Sequence, residues 1–286
     1  MIQLGDFRVH LINEALTRND AGGPFGLVPR ALFRDYLMPD EDNLIPMAYH
    51  ILFVQANGKN IVIDTGYGDK IPDKQHAFLR MDRSTGGLLG GLARLGVQPE
   101  AVDLVIDTHL HGDHAGGNTR YDANGQLVPT FPTAEYVVQR REYEDAIRPN
   151  ERTRATYLAE NFQSLVDSGQ MRLLEGDTEI TPGIRGVIAP GHTPGHMAVV
   201  LESGGQTLAF VCDLASYTIH FERLGWMTSF DVEPLITLET KRVWQKWALE
   251  RDAILVFPHD PLRPIGRYKL DDKGRGVVVP IPEPYV

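Results

Sequence analysis

Short apolar runs bounded by turn-forming residues recur along the chain and predict β-strands. Residues 51–55 and 60–64 form one predicted hairpin, and residues 197–202 and 207–213 form a second. In both hairpins the second strand ends in an aspartate. This recurrence predicts a core of two sheets related by pseudo-twofold symmetry.

Between the strands, apolar residues recur at helical spacing. Leu88, Leu92 and Leu95 share one face of a predicted helix that ends before Gly96. A second stripe runs through residues 155–165, and a third crosses residues 233–250. Strands that alternate with helices in this way predict a layered α/β fold.

Composition narrows the class of protein. A chain of 286 residues with 42% hydrophobic content can bury a large core, and we expect one domain over residues 1–286. The formal net charge of −10 argues against a nucleic-acid partner. A single cysteine, the lack of a signal-like start and the lack of a long apolar run predict a cytoplasmic protein without a membrane partner. Strand alternation would place that residue, Cys212, opposite Asp213 as a small buried apolar side chain.

The segment at 108–114 carries the strongest chemical signal. His109, His111, Asp113 and His114 follow a strand-like run at 102–107. Packing these groups together without a partner would cost stability. A nitrogen and oxygen donor set without thiolate is typical of a catalytic metal site. The segment therefore predicts a metallohydrolase.

Three further candidate ligands follow other apolar strands. His192 lies in the rigid Gly- and Pro-rich turn at 190–196, which His196 is expected to brace. Asp213 ends the second hairpin, and His259 follows residues 253–257. Because open α/β sheets place binding crevices just beyond their strands, we expect these groups to meet the 108–114 segment.

Taken together, these residues resemble the pattern of the metallo-β-lactamase superfamily, which begins with Asp64-Thr65-Gly66 and continues through His109 to His259. The resemblance implies an αββα sandwich with a dinuclear metal site at the edge of the two sheets. Carried over position by position, it implies one metal held by His109, His111 and His192, a second held by Asp113, His114 and His259, and Asp213 as the bridge. Asp113 is also expected to act in catalysis. Asp64 is expected behind the ligands, accepting the far ring N–H of a metal-bound histidine.

Two divalent ions about 3.5–4 Å apart can share a water and lower its pKa towards about 7. The resulting bridging hydroxide would attack a lactone or ester carbonyl. Zinc is the expected metal, although manganese, cobalt and iron also accept these donors.

Within the superfamily, the chain is most similar to quorum-quenching N-acyl-homoserine lactonases and to methyl parathion hydrolase-type enzymes. Residues 25–30, 39–43, 63–66, 149–153 and 257–261 carry that similarity. The best-known lactonases place a tyrosine three residues after the bridging aspartate, where this chain has Ser216 and then Tyr217. Tyr217 is accordingly predicted to contact substrate, with an ordinary packed tyrosine as the alternative.

The predicted function is N-acyl-homoserine lactone hydrolysis. Phosphotriester hydrolysis and glyoxalase II-like thioester hydrolysis remain alternatives. The acidic charge counts against an RNA phosphodiesterase, and His111 stands where di-iron redox relatives carry Glu.

Two apolar loops are predicted to hold a small hydrophobic lactone or ester. The loops span residues 22–38 and 219–230, and the expected pocket residues are Phe25, Leu27, Phe33, His220, Trp226, Met227 and Phe230. Burial of the same loops in a homodimer interface is the alternative.

Overall fold

The computed structural model describes all residues from Met1 to Val286. Its strands are β1 (Ile2–Leu4), β2 (Phe7–Asp20), β3 (Leu44–Ala56), β4 (Lys59–Ile63), β5 (Leu104–Ile106), β6 (Thr119–Tyr121), β7 (Leu127–Pro129), β8 (Glu135–Gln139), β9 (Met171–Leu174), β10 (Thr178–Thr181), β11 (Ile184–Ile188), β12 (Met197–Ser203), β13 (Gln206–Phe210), β14 (Ile254–Val256), β15 (Ile265–Leu270) and β16 (Gly276–Pro280). Its α-helices are α1 (Gly22–Phe25), α2 (Arg30–Phe33), α3 (Asp73–Phe78), α4 (Gly87–Arg94), α5 (Gly112–Ala115), α6 (Arg140–Ala146), α7 (Gln163–Asp167), α8 (Thr218–Glu222) and α9 (Pro234–Arg251). None of these helices has both the length and the apolar character needed to cross a bilayer.

The strands form two seven-stranded sheets, as the paired hairpins predicted. The first has the order β1-β2-β3-β4-β5-β8-β9 and the second the order β10 through β16 in sequence. Alternation of side chains explains how each sheet divides its two faces. In β4, Ile61 and Ile63 join the core between the sheets, whereas Val62 joins the cluster on the outer face.

Helices cover both outer faces and complete the αββα arrangement. Leu88 and Leu92 of α4 pack with the outer side of the first sheet, and Trp244 and Ala248 of α9 pack with the second. The structure confirms the predicted fold class and the predicted helices at 88–95 and 233–250.

The helical prediction for residues 155–165 is wrong. Turns occupy residues 151–156, a short 3-10 turn spans residues 159–161, and α7 begins at Gln163. The backbone of this segment pairs with a distant segment instead of forming helical hydrogen bonds: the carbonyl of Thr156 accepts a hydrogen bond from Gly112 N at 2.9 Å. Tyr157 forms an isolated bridge with His111. A long-range pairing has therefore replaced the local helix.

The second predicted hairpin ends earlier than expected. β13 stops at Phe210, and a 3-10 turn over Cys212–Ala215 follows. Cys212 has a φ of 48°, which is not a strand conformation, so the alternation of side chains along a strand does not determine the direction of its side chain. Its side chain is buried, as expected, but its Sγ lies 3.0 Å from Thr108 Oγ1 rather than among apolar groups alone. The side chain is thus buried as predicted, but the strand from which its direction was predicted ends before it.

Candidate metal centre

Four strand ends bring the seven candidate ligands to one edge of the sandwich. The segment 108–114 follows β5, and His192, Asp213 and His259 follow β11, β13 and β14. Six of the seven side chains are buried, and Asp113 alone keeps appreciable exposure, at 23% of its side chain. The site is thus shielded except at Asp113.

The histidines and Asp113 form two groups of three. Donor atoms of His109, His111 and His192 lie within 4.8 Å of one another, as do those of Asp113, His114 and His259. His192 Nε2 lies 3.1 Å from His111 Nδ1, and His259 Nε2 lies 3.2 Å from His114 Nε2. We call these groups the first triad and the second triad, respectively.

Asp213 lies between the two triads. Its Oδ2 is 3.3 Å from His192 Nε2 and 3.4 Å from His114 Nε2, and its Oδ1 is 3.1 Å from His259 Nε2. Ser216 donates a hydrogen bond to Oδ1 at 2.9 Å and so helps to fix the carboxylate. One carboxylate therefore reaches both triads.

Partners on the far side of three rings decide which nitrogen faces the site. His114 Nδ1 donates to Asp64 Oδ2 at 2.9 Å, His192 Nδ1 to Asp231 Oδ1 at 2.9 Å, and His259 Nδ1 to the carbonyl of Ala48 at 2.8 Å. In the neutral ring, each contact leaves Nε2 unprotonated, directed at the other ligands and able to coordinate a metal. Sequence reasoning anticipated Asp64 but missed Asp231, which lies in an irregular loop and carries no motif.

Burial and neighbouring charges set the protonation of the cluster. Burial, reinforced by neighbouring histidines, holds the pKa of His109 and His111 well below the ordinary value, so both rings are neutral near pH 7. For Asp213, burial acts to raise the pKa, but His259, His192 and His114 outweigh it and the pKa falls well below its usual range. For His114 and His192, burial acts to lower the pKa, but negatively charged neighbours including Asp213 outweigh it and the pKa rises. These two rings would release a proton on binding a metal, because the neutral imidazole is the form that ligates it.

These residues fit a pair of divalent ions. His109 Nε2 is buried without a hydrogen-bond partner, and ring nitrogens face one another at about hydrogen-bond distance in both triads. In the second triad, His114 and His259 each donate from Nδ1, so their facing Nε2 atoms are both acceptors when the rings are neutral and need a cation or a proton between them. The mixed nitrogen and oxygen donors suit zinc and similar ions.

Two predicted residues lie beside the cluster rather than in it. His196 Nδ1 donates to the carbonyl of Ala189 at 3.0 Å, while its Nε2 has no partner. Tyr217 is fully buried, and its hydroxyl donates to the carbonyl of Pro46 at 3.1 Å. The structure therefore places Tyr217 in a packed position.

Only some of the predicted pocket residues line a cavity. Leu27, Trp226 and Met227 line a cavity of about 710 Å³ that also reaches Asp231. Phe25 and Phe33 are buried behind it, with ring centroids 4.2 Å apart.

The remaining two predicted pocket residues do not line this cavity. His220 packs edge-on against Phe25 with ring centroids 5.3 Å apart, and Phe230 is 47% exposed. Three of the seven predicted residues therefore line this cavity.

A second, more polar cavity reaches one of the seven candidate ligands. It measures about 210 Å³ and is lined by Asp113 together with Tyr67, Lys70, Thr156 and Asn161. Since Asp113 is the exposed member of the seven, this cavity gives solvent a route to the cluster.

Comparison with known proteins agrees with the geometry. The sequence model described as the metallo-beta-lactamase superfamily matches residues 45–262. An N-acyl homoserine lactonase from Bacillus cereus is 27% identical over 228 residues, which cover 76% of this chain and 83% of that protein. N-acyl homoserine lactonases from Bacillus sp. and Bacillus thuringiensis are 33% and 31% identical over 170 residues, which cover 59% of this chain and 60% of each relative.

Solved structures show the same fold. A probable metal-dependent hydrolase from Staphylococcus aureus matches with a TM-score of 0.87 and 28% identity, covering 97% of this chain and 99% of that one. AidC, a dizinc quorum-quenching lactonase in complex with a product, matches with a TM-score of 0.80 and 21% identity, covering 98% and 96% of the two chains.

The fold and the site define a metal-dependent hydrolase. The chain belongs to the metallo-beta-lactamase superfamily.

Proposed function

We propose that the protein opens the lactone ring of N-acyl-homoserine lactones, using two divalent metal ions, with zinc as the physiological metal. One structural observation carries the proposal: Asp213 lies within about hydrogen-bond distance of histidines from both triads. The lactonase relatives supply the substrate class. The dizinc lactonase of the same fold supports the choice of metal.

In this proposal the first triad would hold one ion and the second triad would hold the other, with Asp213 placed to contribute to both. A pair of divalent ions supplies Lewis-acid chemistry, because it acidifies water and polarises a carbonyl oxygen. The donor set contains no thiolate, which is typical of catalytic rather than structural sites.

The chain's own residues orient the ligands and handle protons. Asp64, Asp231 and the carbonyl of Ala48 each hold one ring with Nε2 directed at the site. Asp113 Oδ2 is the oxygen on the ligand side, 3.6 Å from His114 Nε2 and 3.8 Å from His259 Nε2. Its other oxygen, Oδ1, would then be free to accept the proton of the attacking water and pass it to the ring oxygen as the lactone C–O bond breaks.

The apolar cavity is proposed to receive the acyl chain. Its volume of about 710 Å³ lies in the range of small-molecule pockets, about 300–1,000 Å³. Leu27, Trp226 and Met227 supply apolar walls, and Asp231 connects the cavity to His192. This arrangement favours substrates with a hydrophobic tail over small polar esters.

A substrate panel with defined metal content tests the proposal. Zinc-loaded protein is assayed against butanoyl- to dodecanoyl-homoserine lactones, an aryl ester, a glutathione thioester and a phosphotriester. We expect the highest kcat/KM with an acyl-homoserine lactone, and loss of that activity in His109→Ala and Asp213→Ala. Glu144→Gln, an exposed position on α6, is the control that should keep full activity. A metal-loaded protein that leaves every acyl-homoserine lactone intact would contradict the substrate assignment.

A further inference from the structure

Glu142 is a fully buried carboxylate that none of the sequence motifs includes. It lies in the first turn of α6 and is 0% exposed. A buried carboxylate is costly unless several donors satisfy it. Its partners therefore indicate what it does.

Three donors converge on this carboxylate. Leu110 N donates to Oε1 at 3.0 Å, Tyr157 Oη donates to Oε1 at 2.9 Å, and Thr193 Oγ1 donates to Oε2 at 2.5 Å. The carboxylate thus accepts three hydrogen bonds, which offset the cost of burying it.

Each donor stands next to at least one ligand of the first triad. Leu110 lies between His109 and His111 in the chain, and Thr193 directly follows His192. The ring of Tyr157 lies 5.0 Å from the ring of His111, centroid to centroid. Glu142 thus contacts the neighbours of all three first-triad histidines and touches no member of the second triad.

The packing around Glu142 is tight where the two ligand loops meet α6. A Cβ added at Gly195 would lie 2.2 Å from the backbone nitrogen of Glu142. The 190–196 turn therefore approaches the start of α6 as closely as a residue without a side chain permits. Such an approach leaves little freedom for the loop that carries His192.

We propose that Glu142 is a positioning residue that joins the 108–114 segment, the 190–196 turn and Tyr157, and so presets the first triad for one of the two metal ions. This inference rests on the proposed metal binding. Partners beyond the ligands commonly change metal affinity by about 10- to 100-fold when removed. Because the second triad lacks this contact, the effect should be confined to one of the two ions.

Competitive titration with a chelator tests the proposal on the zinc-loaded full chain. In Glu142→Leu, we expect one ion to dissociate at about 10- to 100-fold lower chelator concentration, while the other dissociates as in the unsubstituted protein. Tyr157→Phe and Thr193→Val each remove one donor, so they should shift the same ion by less. They also keep the test decisive if Glu142→Leu fails to fold. Glu144→Leu, two residues away and exposed, is the matched control and should leave both ions unchanged.

The possible outcomes separate the two claims. If the unsubstituted chain binds no ions, the proposed metal-dependent function fails with the inference. If it binds two ions, and the Tyr157 and Thr193 variants bind each ion as tightly as the unsubstituted chain does, the proposed role of Glu142 is wrong while the proposed function stands. Equal weakening of both ions would also overturn the inference, because general destabilisation would explain it.

Discussion

Asp231 Oδ1 lies 2.9 Å from His192 Nδ1, and both side chains are buried. The aspartate lies 39 residues further along the chain, yet it fixes which nitrogen of His192 faces the site. Thr228 Oγ1 donates to the same oxygen at 2.9 Å and supports its orientation. The orientation of His192 thus depends on a loop outside every ligand motif.

Asp231→Ala is expected to weaken binding of one metal ion by about 10- to 100-fold. The carboxylate of Asp231 holds the tautomer of the His192 imidazole and increases the basicity of the ring. Both effects are lost in this variant. Competition with a chromophoric chelator measures the change. Thr228→Val removes a contact to Asp231 but leaves the carboxylate, so its effect should be smaller. Unchanged affinity in Asp231→Ala would show that His192 needs no such partner.

Lys241 gives a prediction for the pH dependence of stability. Its ammonium is buried and donates to the carbonyls of His220 and Trp226. Burial lowers its pKa from 10.5 to about 8. Between these values the unfolded chain binds the proton and the folded chain does not, so stability rises with pH through this window.

The contribution of Lys241 can be isolated with Lys241→Met. Relative to this variant, the wild-type free energy of unfolding should increase from pH 8 to pH 10.5, by up to about 3 kcal/mol. Denaturant unfolding at a series of pH values measures the difference. Lys246→Met on the same helix is exposed and serves as the control. Parallel curves for wild type and Lys241→Met would show that the buried lysine keeps an ordinary pKa.

The sequence predicted the fold and the convergence of the ligand loops because both follow from local patterns. Strand alternation separates Ile61 and Ile63 from Val62, and ligand motifs follow strands whose ends share one edge. Asp231 and Glu142 were missed because their roles arise from tertiary contacts with distant loops. The false helix at 155–165 has the same origin, since pairing between Tyr157 and His111 determines the local backbone.

Tyr217→Phe separates two roles for this residue. The sequence predicted a substrate contact, whereas the hydroxyl is buried and donates to the carbonyl of Pro46. The buried position favours packing, so we expect kcat/KM to change by less than about threefold and stability to fall by about 1 kcal/mol. Steady-state kinetics and thermal unfolding measure both quantities. A loss of about 100-fold in kcat with unchanged stability would instead establish a direct catalytic contact.

Met227→Trp tests the apolar cavity. The larger side chain should fill part of the space that Met227 lines with Leu27 and Trp226. Each methylene of the acyl chain that loses its apolar contacts costs about 0.8 kcal/mol of binding free energy. KM for dodecanoyl-homoserine lactone should therefore rise about 10-fold, and that for the butanoyl substrate should change by less than about twofold.

Met38→Trp is the matched control for the cavity, because Met38 is exposed and lies outside it. It should leave both KM values unchanged. Equal changes for short and long chains in Met227→Trp would place the acyl chain elsewhere.

The central claim is that seven side chains from four segments hold two catalytic metal ions with Asp213 between them. Elemental analysis of the purified protein after dialysis against zinc, with lactonase activity measured on the same samples, tests it most directly. The account predicts two ions per wild-type chain, fewer than two in Asp213→Ala, and at least about a 100-fold loss of kcat/KM in that variant. Full activity in a wild-type preparation that contains no metal would contradict the account.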